Sequence, residues 1–294
     1  MKTLKFTVLT ALVLALANSG TVLAEFDPQQ FAAQFNGSDG KGWQWNIAGY
    51  KTNNSSSYNE YYIGGGNLPD LRAYSDNTKT SDRFYTFCAE PNVKLVAVNT
   101  SGYAKLNYQD GRTKNSDGMA LNLGAAWLYT QYATGQLSGF DYTGSKHASD
   151  VNDLGRAITL MMGGINGTLT TQQITNNIIN NNGSTGEKNK YLELLRTSND
   201  YTASEWASDY IVSADYKGIG DYAVFVMNMT EYNGRNLQDY LYVVCKDHGD
   251  GGDDGGGCND VPEPATFLLW TLSGIGLAGA SWVKKRRLMK LALA

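Results

Sequence analysis

Histidine and proline are scarce in this chain of 294 residues, with two of the first and five of the second. His147 and His248 lie far apart without a zinc-binding spacing around them, which leaves little room for a histidine-built metal site. So few prolines exclude collagen-like and proline-rich disordered architectures. Charge is sparse too, at 18% of residues. There is no GxSxG, no HExxH and no Walker loop. Gly64-Gly65-Gly66 reads as a turn and not a phosphate cradle, because no helix carrying Lys and Ser/Thr follows it. Asp150 and Asp153, one helical turn apart, read as a solvated face. No repeat of solenoid or propeller period occurs. The expectation is a chain that is not an enzyme, with no cofactor and no metal.

What charge there is divides unevenly. Residues 1–24 and 263–294 hold seven of the 24 basic residues but one of the 28 acidic ones, leaving the middle at −10. An acidic middle argues against nucleic acid as a partner and against docking on anionic lipid.

The two ends read as addresses. Lys2 and Lys5 precede an apolar run from Phe6 to about Ala17, and Val22-Leu23-Ala24 supplies small or apolar residues at a cleavage site. That is a Sec signal peptide over 1–24, cut after Ala24, and it implies the Sec translocon and signal peptidase as partners. At the other end, Pro262-Glu263-Pro264 precedes an uncharged apolar stretch over 266–283, then Lys284, Lys285, Arg286 and Arg287. Eighteen helical residues span about 27 Å, close to the hydrocarbon thickness of a bilayer. The basic flank belongs in the cytoplasm, giving a single-pass anchor. The order of parts resembles the PEP-CTERM sorting signal, whose carriers are substrates of exosortase, a membrane transpeptidase. The resemblance implies that Pro262, Glu263 and Pro264 form the recognition motif and that the apolar helix of 261–294 is processed away. The two prolines suit that role, since they hold the motif extended before the helix.

Residues 246–260 are rich in Gly and Asp and read as a flexible, self-repelling spacer. Calcium is the alternative there, but the EF-hand spacing and terminal glutamate are missing. Of the three cysteines, Cys245 and Cys258 bracket this spacer and form the preferred disulfide, leaving Cys88 free.

Residues 25–245 carry both kinds of periodicity. Strand signals occur around Trp43 to Trp45, over 58–63, over 84–98 with a turn at Pro91-Asn92, and over 222–227 and 237–244 with Asn233-Gly234 between them. Helical spacing runs over 119–137 and over 147–162, where Gly163-Gly164 stops it. Residues 176–186 read as a polar loop, and short helices are expected over 191–196 and 203–212, the second with Thr202 and Glu205 as its capping pair. The expected fold class is α+β, antiparallel strands flanking a helical insert, with an N-terminal signal helix and one C-terminal transmembrane helix.

From about residue 84 the middle resembles the thioester domains of bacterial surface adhesins. The residues that carry the resemblance are Phe87-Cys88-Ala89-Glu90, Ala125 to Tyr129 with Gly135-Gln136-Leu137, Leu154-Gly155-Arg156-Ala157-Ile158, and the closing strands with Val224 to Asn228 and Gln238-Asp239. The resemblance implies a strand cysteine, Cys88, that condenses with a helix-borne glutamine into an internal thioester able to capture surface amines. Gly155 stands at that glutamine's position and Thr159 at the tryptophan's, and Gln172 fits only with a shifted alignment. The expectation is therefore a degenerate thioester scaffold, with Cys88 facing the helix of Leu154 to Ile158 and bonded to no glutamine.

The functional expectation is an exported protein, held briefly in the inner membrane and then placed on the cell surface or in an exopolysaccharide matrix. Its abundant tyrosine and tryptophan suit binding to neutral polysaccharide. The alternatives are a covalent adhesin through Cys88 and a matrix polysaccharide hydrolase. Glu263→Ala tests the sorting motif, because it leaves the apolar span intact and a plain tail anchor would be indifferent to it. In a host with exosortase, unprocessed precursor should accumulate in the membrane fraction on an immunoblot. Unchanged processing would contradict recognition of the motif.

Overall fold

The computed structural model describes residues 27–38, 42–50, 61–65, 82–90, 101–164, 167–182, 188–210 and 220–246. The signal segment, the Pro91-Asn92 turn, the Gly/Asp spacer and the C-terminal signal lie outside these residues.

The first described element was not legible as a helix. Asp27 accepts from the N–H groups of Gln29 and Gln30 at 2.8 and 3.2 Å, and Pro28 follows it, so cap and proline together start α1 (Pro28–Asn36). The helix buries only Ala32 and Phe35, too few positions to register as a period. Its last residue, Asn36, accepts from Leu106 N–H and donates to Leu106 C=O, at 2.8 and 2.9 Å, fixing α1 to the sheet.

The strands are β1 (Trp43–Tyr50), β2 (Tyr61–Gly65), β3 (Asp82–Thr86), β4 (Ser101–Leu106), β5 (Tyr108–Gln109), β6 (Arg112–Thr113), β7 (Tyr222–Glu231) and β8 (Tyr240–Cys245). Six of them form one sheet in the order β3-β2-β1-β4-β7-β8, with every neighbouring pair antiparallel; β5 and β6 make a separate hairpin. Between β6 and β7 the chain inserts α2 (Leu123–Ala133), α3 (His147–Met161), α4 (Thr171–Asn180), α5 (Lys190–Thr197) and α6 (Ala203–Ser208). The architecture is α+β, with antiparallel strands on either side of a helical insert.

Local signals explain most of the helix ends. Asn122 caps α2 and Asn189 caps α5. Thr170 with Gln173, and Thr202 with Glu205, form reciprocal capping boxes at α4 and α6. Gly163 and Gly164 both take positive φ, 95° and 78°, where α3 stops. The polar loop expected from residue 176 is corrected: α4 runs to Asn180, because Ile174 and Ile178 are four apart on its buried side. Helix α6 ends at Ser208, short of the expected residue 212, with Asp209 already extended.

Strands β7 and β8 are covered on both faces, and their residues alternate between them. Val224, Val226, Leu241 and Val243 join the core beneath α2–α6, with Phe87, Leu128, Tyr132, Leu154 and Ile158. Ala223, Phe225, Met227, Met229, Tyr240, Tyr242 and Val244 join a second core with Ala32 and Phe35 of α1. Double coverage explains why β7 and β8 read as nearly unbroken apolar runs. The two ends of the strand order also meet. Past β3, Thr86 Oγ1 donates to Leu241 C=O at 2.5 Å, Leu241 N–H donates to Phe87 C=O at 3.1 Å, and Cys88 bridges Tyr240. The first and last strands thus join, closing the sheet into a ring and pairing part of the edge that each would otherwise expose.

Among the described residues no helix is long and apolar enough to cross a membrane. Asp150 is corrected from a solvated to a buried position: it is 3% exposed, accepts from Asp141 N–H at 2.7 Å and is ion-paired with Lys190. The ring depends on close approach of β4 to β7. A Cβ on Gly102 would lie 1.8 Å from the Thr230 carbonyl oxygen. Gly102→Ala should therefore cost about 2–3 kcal/mol, measured by denaturant unfolding; a cost within about 0.5 kcal/mol would show that the ladder relaxes freely there.

Candidate functional site

The ring closure decides where Cys88 points. Main-chain alternation through 87–89 sends Phe87 and Ala89 into the core beneath the helices. Cys88 packs on the other side, against the core of Tyr240 and Tyr242. The expectation that it faces the helix of Leu154 to Ile158 is corrected. Gly155 is buried within α3, in the layer on the far face of the sheet. Gln172 is exposed on α4 and donates to Asn176 Oδ1 at 3.1 Å.

A different glutamine meets Cys88. Ala89 N–H donates to Asp239 C=O at 2.8 Å, which draws the segment before β8 alongside Cys88. Gln238, on that segment, is 4% exposed and close enough to Cys88 for its amide to pull the thiol's pKa down. Its Nε2 also donates to Glu90 C=O at 3.5 Å, and Tyr240 Oη donates to its Oε1 at 3.5 Å. Cys88 Sγ accepts from Glu90 N–H at 3.2 Å. A sulfur nucleophile and a carboxamide are thus held side by side, by main-chain groups of one residue.

Two carboxyls complete the cluster, and their environments differ. Asp239 accepts from Ser116 N–H at 2.6 Å, Ser116 Oγ at 3.1 Å, Asn228 Nδ2 at 2.7 Å and Met229 N–H at 3.0 Å. Burial pushes its pKa up to about 6, against the pull of these donors. Glu90 is 1% exposed, with its carboxyl close to Asp117 and to the backbone of Asp239. Burial, then the charges of Asp239 and Asp117, push it up to about 8. Burial also pushes the Cys88 thiol well up, the Glu90 N–H pulls it back, and the charges of Asp239 and Glu90 raise it again. Near neutral pH the site holds a protonated thiol, one anion tied by four donors, and one neutral carboxyl.

Gln238 and Glu90 carried a sequence signal, though a weak one. Gln238-Asp239 is a polar pair that leads directly into an apolar strand, and Glu90 is a charge directly following the apolar run around Cys88. Only pairing across the ring brings them together. Cys245 ends β8 opposite Tyr222, and its expected partner Cys258 lies outside the described residues. Ala24, Pro262, Glu263, Pro264, Lys284, Lys285, Arg286 and Arg287 lie outside them too. His147 Nδ1 pairs with Asp141 C=O at 2.8 Å, and no cluster of three metal-ligating side chains occurs among the described residues.

The chain's far end carries the address for this domain. Residues 260–287 match the PEP-CTERM protein-sorting motif. The matched span contains Pro262, Glu263 and Pro264, the apolar stretch and the basic cluster. The PEP-CTERM motif implies an exosortase partner, and export with sorting to the cell envelope. No curated protein and no solved structure matches the chain.

The raised carboxyls give the fold a defined pH dependence. In the unfolded chain Glu90 ionises near its ordinary 4.5, whereas the folded chain keeps the proton to about 8. Unfolding within that window releases a proton, so stability falls as pH rises through it. Asp239 acts in the same direction between 3.8 and about 6. The melting temperature should drop as pH is raised from about 4 to about 8, and Glu90→Gln should flatten the upper half of that slope. A variant whose slope parallels the wild type would exclude Glu90 as its source.

Proposed function

We propose that this chain is an exosortase-sorted envelope protein whose folded domain, residues 25–245, attaches covalently through an internal thioester between Cys88 and Gln238. The observation that carries the reading is that Cys88 and Gln238 are held by main-chain groups of one residue: Glu90 N–H donates to Cys88 Sγ at 3.2 Å, and Glu90 C=O accepts from Gln238 Nε2 at 3.5 Å. Sulfur attacks Cδ of Gln238, the C–N bond breaks, and the nitrogen leaves as ammonia with the proton that the thiol gives up. An amine on a surface polymer then attacks the same carbon. The C–S bond breaks, an amide forms on Gln238, and the thiol regains its proton. Each molecule reacts once, so the chain is an attachment device and not a turning-over enzyme.

The export signal, the spacer over 246–260 and the sorting motif fit this use, since they deliver the domain outside the cell before its bond is spent. The other two readings have less support. Tyr129, Tyr132, Tyr191, Tyr240, Tyr242 and Trp206 are all less than 2% exposed, so these rings pack the core and offer no platform to a sugar. A hydrolase needs two carboxyls across a cleft. Glu90 and Asp239 are both buried, and Asp239 is already bound by four donors.

Intact-mass measurement of the mature chain checks the proposal. The mass should fall short of the sequence by one ammonia, and methylamine should add to Gln238 on peptide mapping. Cys88→Ala should show the full mass and no adduct. A full-length mass for the wild type, with no adduct, would refute the thioester.

A further inference from the structure

A cleft of about 410 Å³ lies outside the Cys88 site, between β6 with its following turn, the end of α3, the start of α4 and Tyr210 beyond α6. That volume falls within the range of small-molecule sites. Arg112 and Lys114 line it and no acidic side chain does, although the domain as a whole is acidic. Arg112 stacks over the Tyr210 ring, its Cζ 5.0 Å from the centroid. Stacking uses the face of a guanidinium and leaves its in-plane N–H donors for an acceptor. No carboxylate among the described residues forms an ion pair with Arg112. Lys114 Nζ contacts Asp110 at 2.9 Å, but the Asp110 side chain is 84% exposed, and a pair so wet yields to a competing anion. Buried Met161 and Met162 form part of the lining. Gly118 puts bare main chain in one wall, where a Cβ would meet nothing within 4 Å. Exposed Thr171 lines another, at the first turn of α4, whose main-chain N–H groups also favour negative charge.

We propose that this cleft binds an acidic sugar, a hexuronate residue of an envelope or matrix polysaccharide. Its carboxylate is taken by Arg112 and Lys114, and its hydroxyls by the polar walls at Gly118 and Thr171. Charge excludes a neutral glycan as the best occupant, since it would leave both cations unused. Exposure excludes a fatty acid: Met161 and Met162 are 1% and 4% exposed, too little open apolar surface for an alkyl chain, whereas Arg112 and Thr171 are exposed. Tyr210 is half-buried, unlike the tyrosines of the core, and so can meet a ligand. The wall after β6 is preformed. Asn115 N–H donates to Met119 C=O at 2.9 Å, and Met119 N–H donates to Asn115 Oδ1 at 2.8 Å. Ser116, between them, is fixed to Asp239. A wall held in this way need not be ordered when the ligand arrives. The sorting motif delivers the domain to the envelope, where such polymers are met. No bond is made or broken in this step, and it does not depend on the thioester.

The test titrates the mature chain with trigalacturonate, with its methyl ester, and with a tripeptide of glutamate. Binding is followed by calorimetry and by the methyl NMR signals of Met161 and Met162. Trigalacturonate should bind and shift both signals, and the ester, which keeps the rings and loses the charge, should bind at least roughly 10-fold more weakly. Arg112→Gln should weaken the acid by roughly 10- to 100-fold and leave the ester nearly unchanged. Four results would each overturn the inference: no binding of trigalacturonate at millimolar concentration, equal binding of acid and ester, wild-type affinity in Arg112→Gln, or shifts that spare Met161 and Met162. A glutamate peptide that binds as tightly as the sugar would overturn it too, in favour of an acidic protein as occupant. If Arg112→Gln does not fold, the comparison of acid with ester on the wild type decides. A chain that binds the acid but never loses ammonia refutes the thioester and leaves this site standing.

Discussion

The Asp239 carboxylate is the interaction on which the site depends. It is a buried anion, and taking such a charge out of water costs several kcal/mol. Four donors offset that cost, each worth about 1.5–3 kcal/mol when the acceptor is charged. Those donors come from two places: Ser116 in the turn after β6, and Asn228 and Met229 in β7. One side chain therefore ties the turn after β6 to β7. Its main-chain carbonyl, accepting from Ala89 N–H, ties the same point to the segment that follows β3. Gln238 and Tyr240, on either side of it, are set against Cys88 as a consequence.

The ring of strands makes that arrangement rigid. Strands β7 and β8 are buried on both faces, so a slip by one residue would exchange the two cores, sending Phe225 and Tyr242 toward the helices and Val224 and Leu241 away from them. Closure through Cys88 and Tyr240 removes the freedom that an open edge would leave. The helical insert meets the sheet on one face, and Cys88 lies toward the other. The helices thus serve as the wall behind the site, with Phe87 against Tyr132 at a centroid distance of 5.0 Å as one of its contacts.

A spacer and a sorting address make chemical sense beside such a site. The proposed thioester would be an electrophile that reacts once, of use only where the chain comes to rest. A thiol that burial pushes well above its ordinary pKa is slow to react with oxidants or electrophiles. The Gly/Asp-rich stretch from 246 to 260 separates that chemistry from the membrane-directed motif matched at 260–287.

The sequence by itself determined the C-terminal sorting motif and most element types. Sorting signals are read by enzymes as short linear stretches, so a motif such as Pro262-Glu263-Pro264 is complete in the sequence. Helices α2 and α3 and strands β7 and β8 were legible because periodicity and caps are local. Helix α1 was not, since two buried positions make no period, and α4 was partly hidden by its asparagines. What only the tertiary structure decided is the face that Cys88 occupies and the partner it meets. Glu90 and Gln238 are separated by 148 positions, and no local pattern encodes a contact over that span. The resemblance puts Gly155 of α3 at the glutamine's position, whereas the glutamine that shares Glu90 with Cys88 lies in the segment before β8. Ring closure sets that pairing, and ring closure follows from the packing of two cores and the hydrogen bonds of one buried carboxylate.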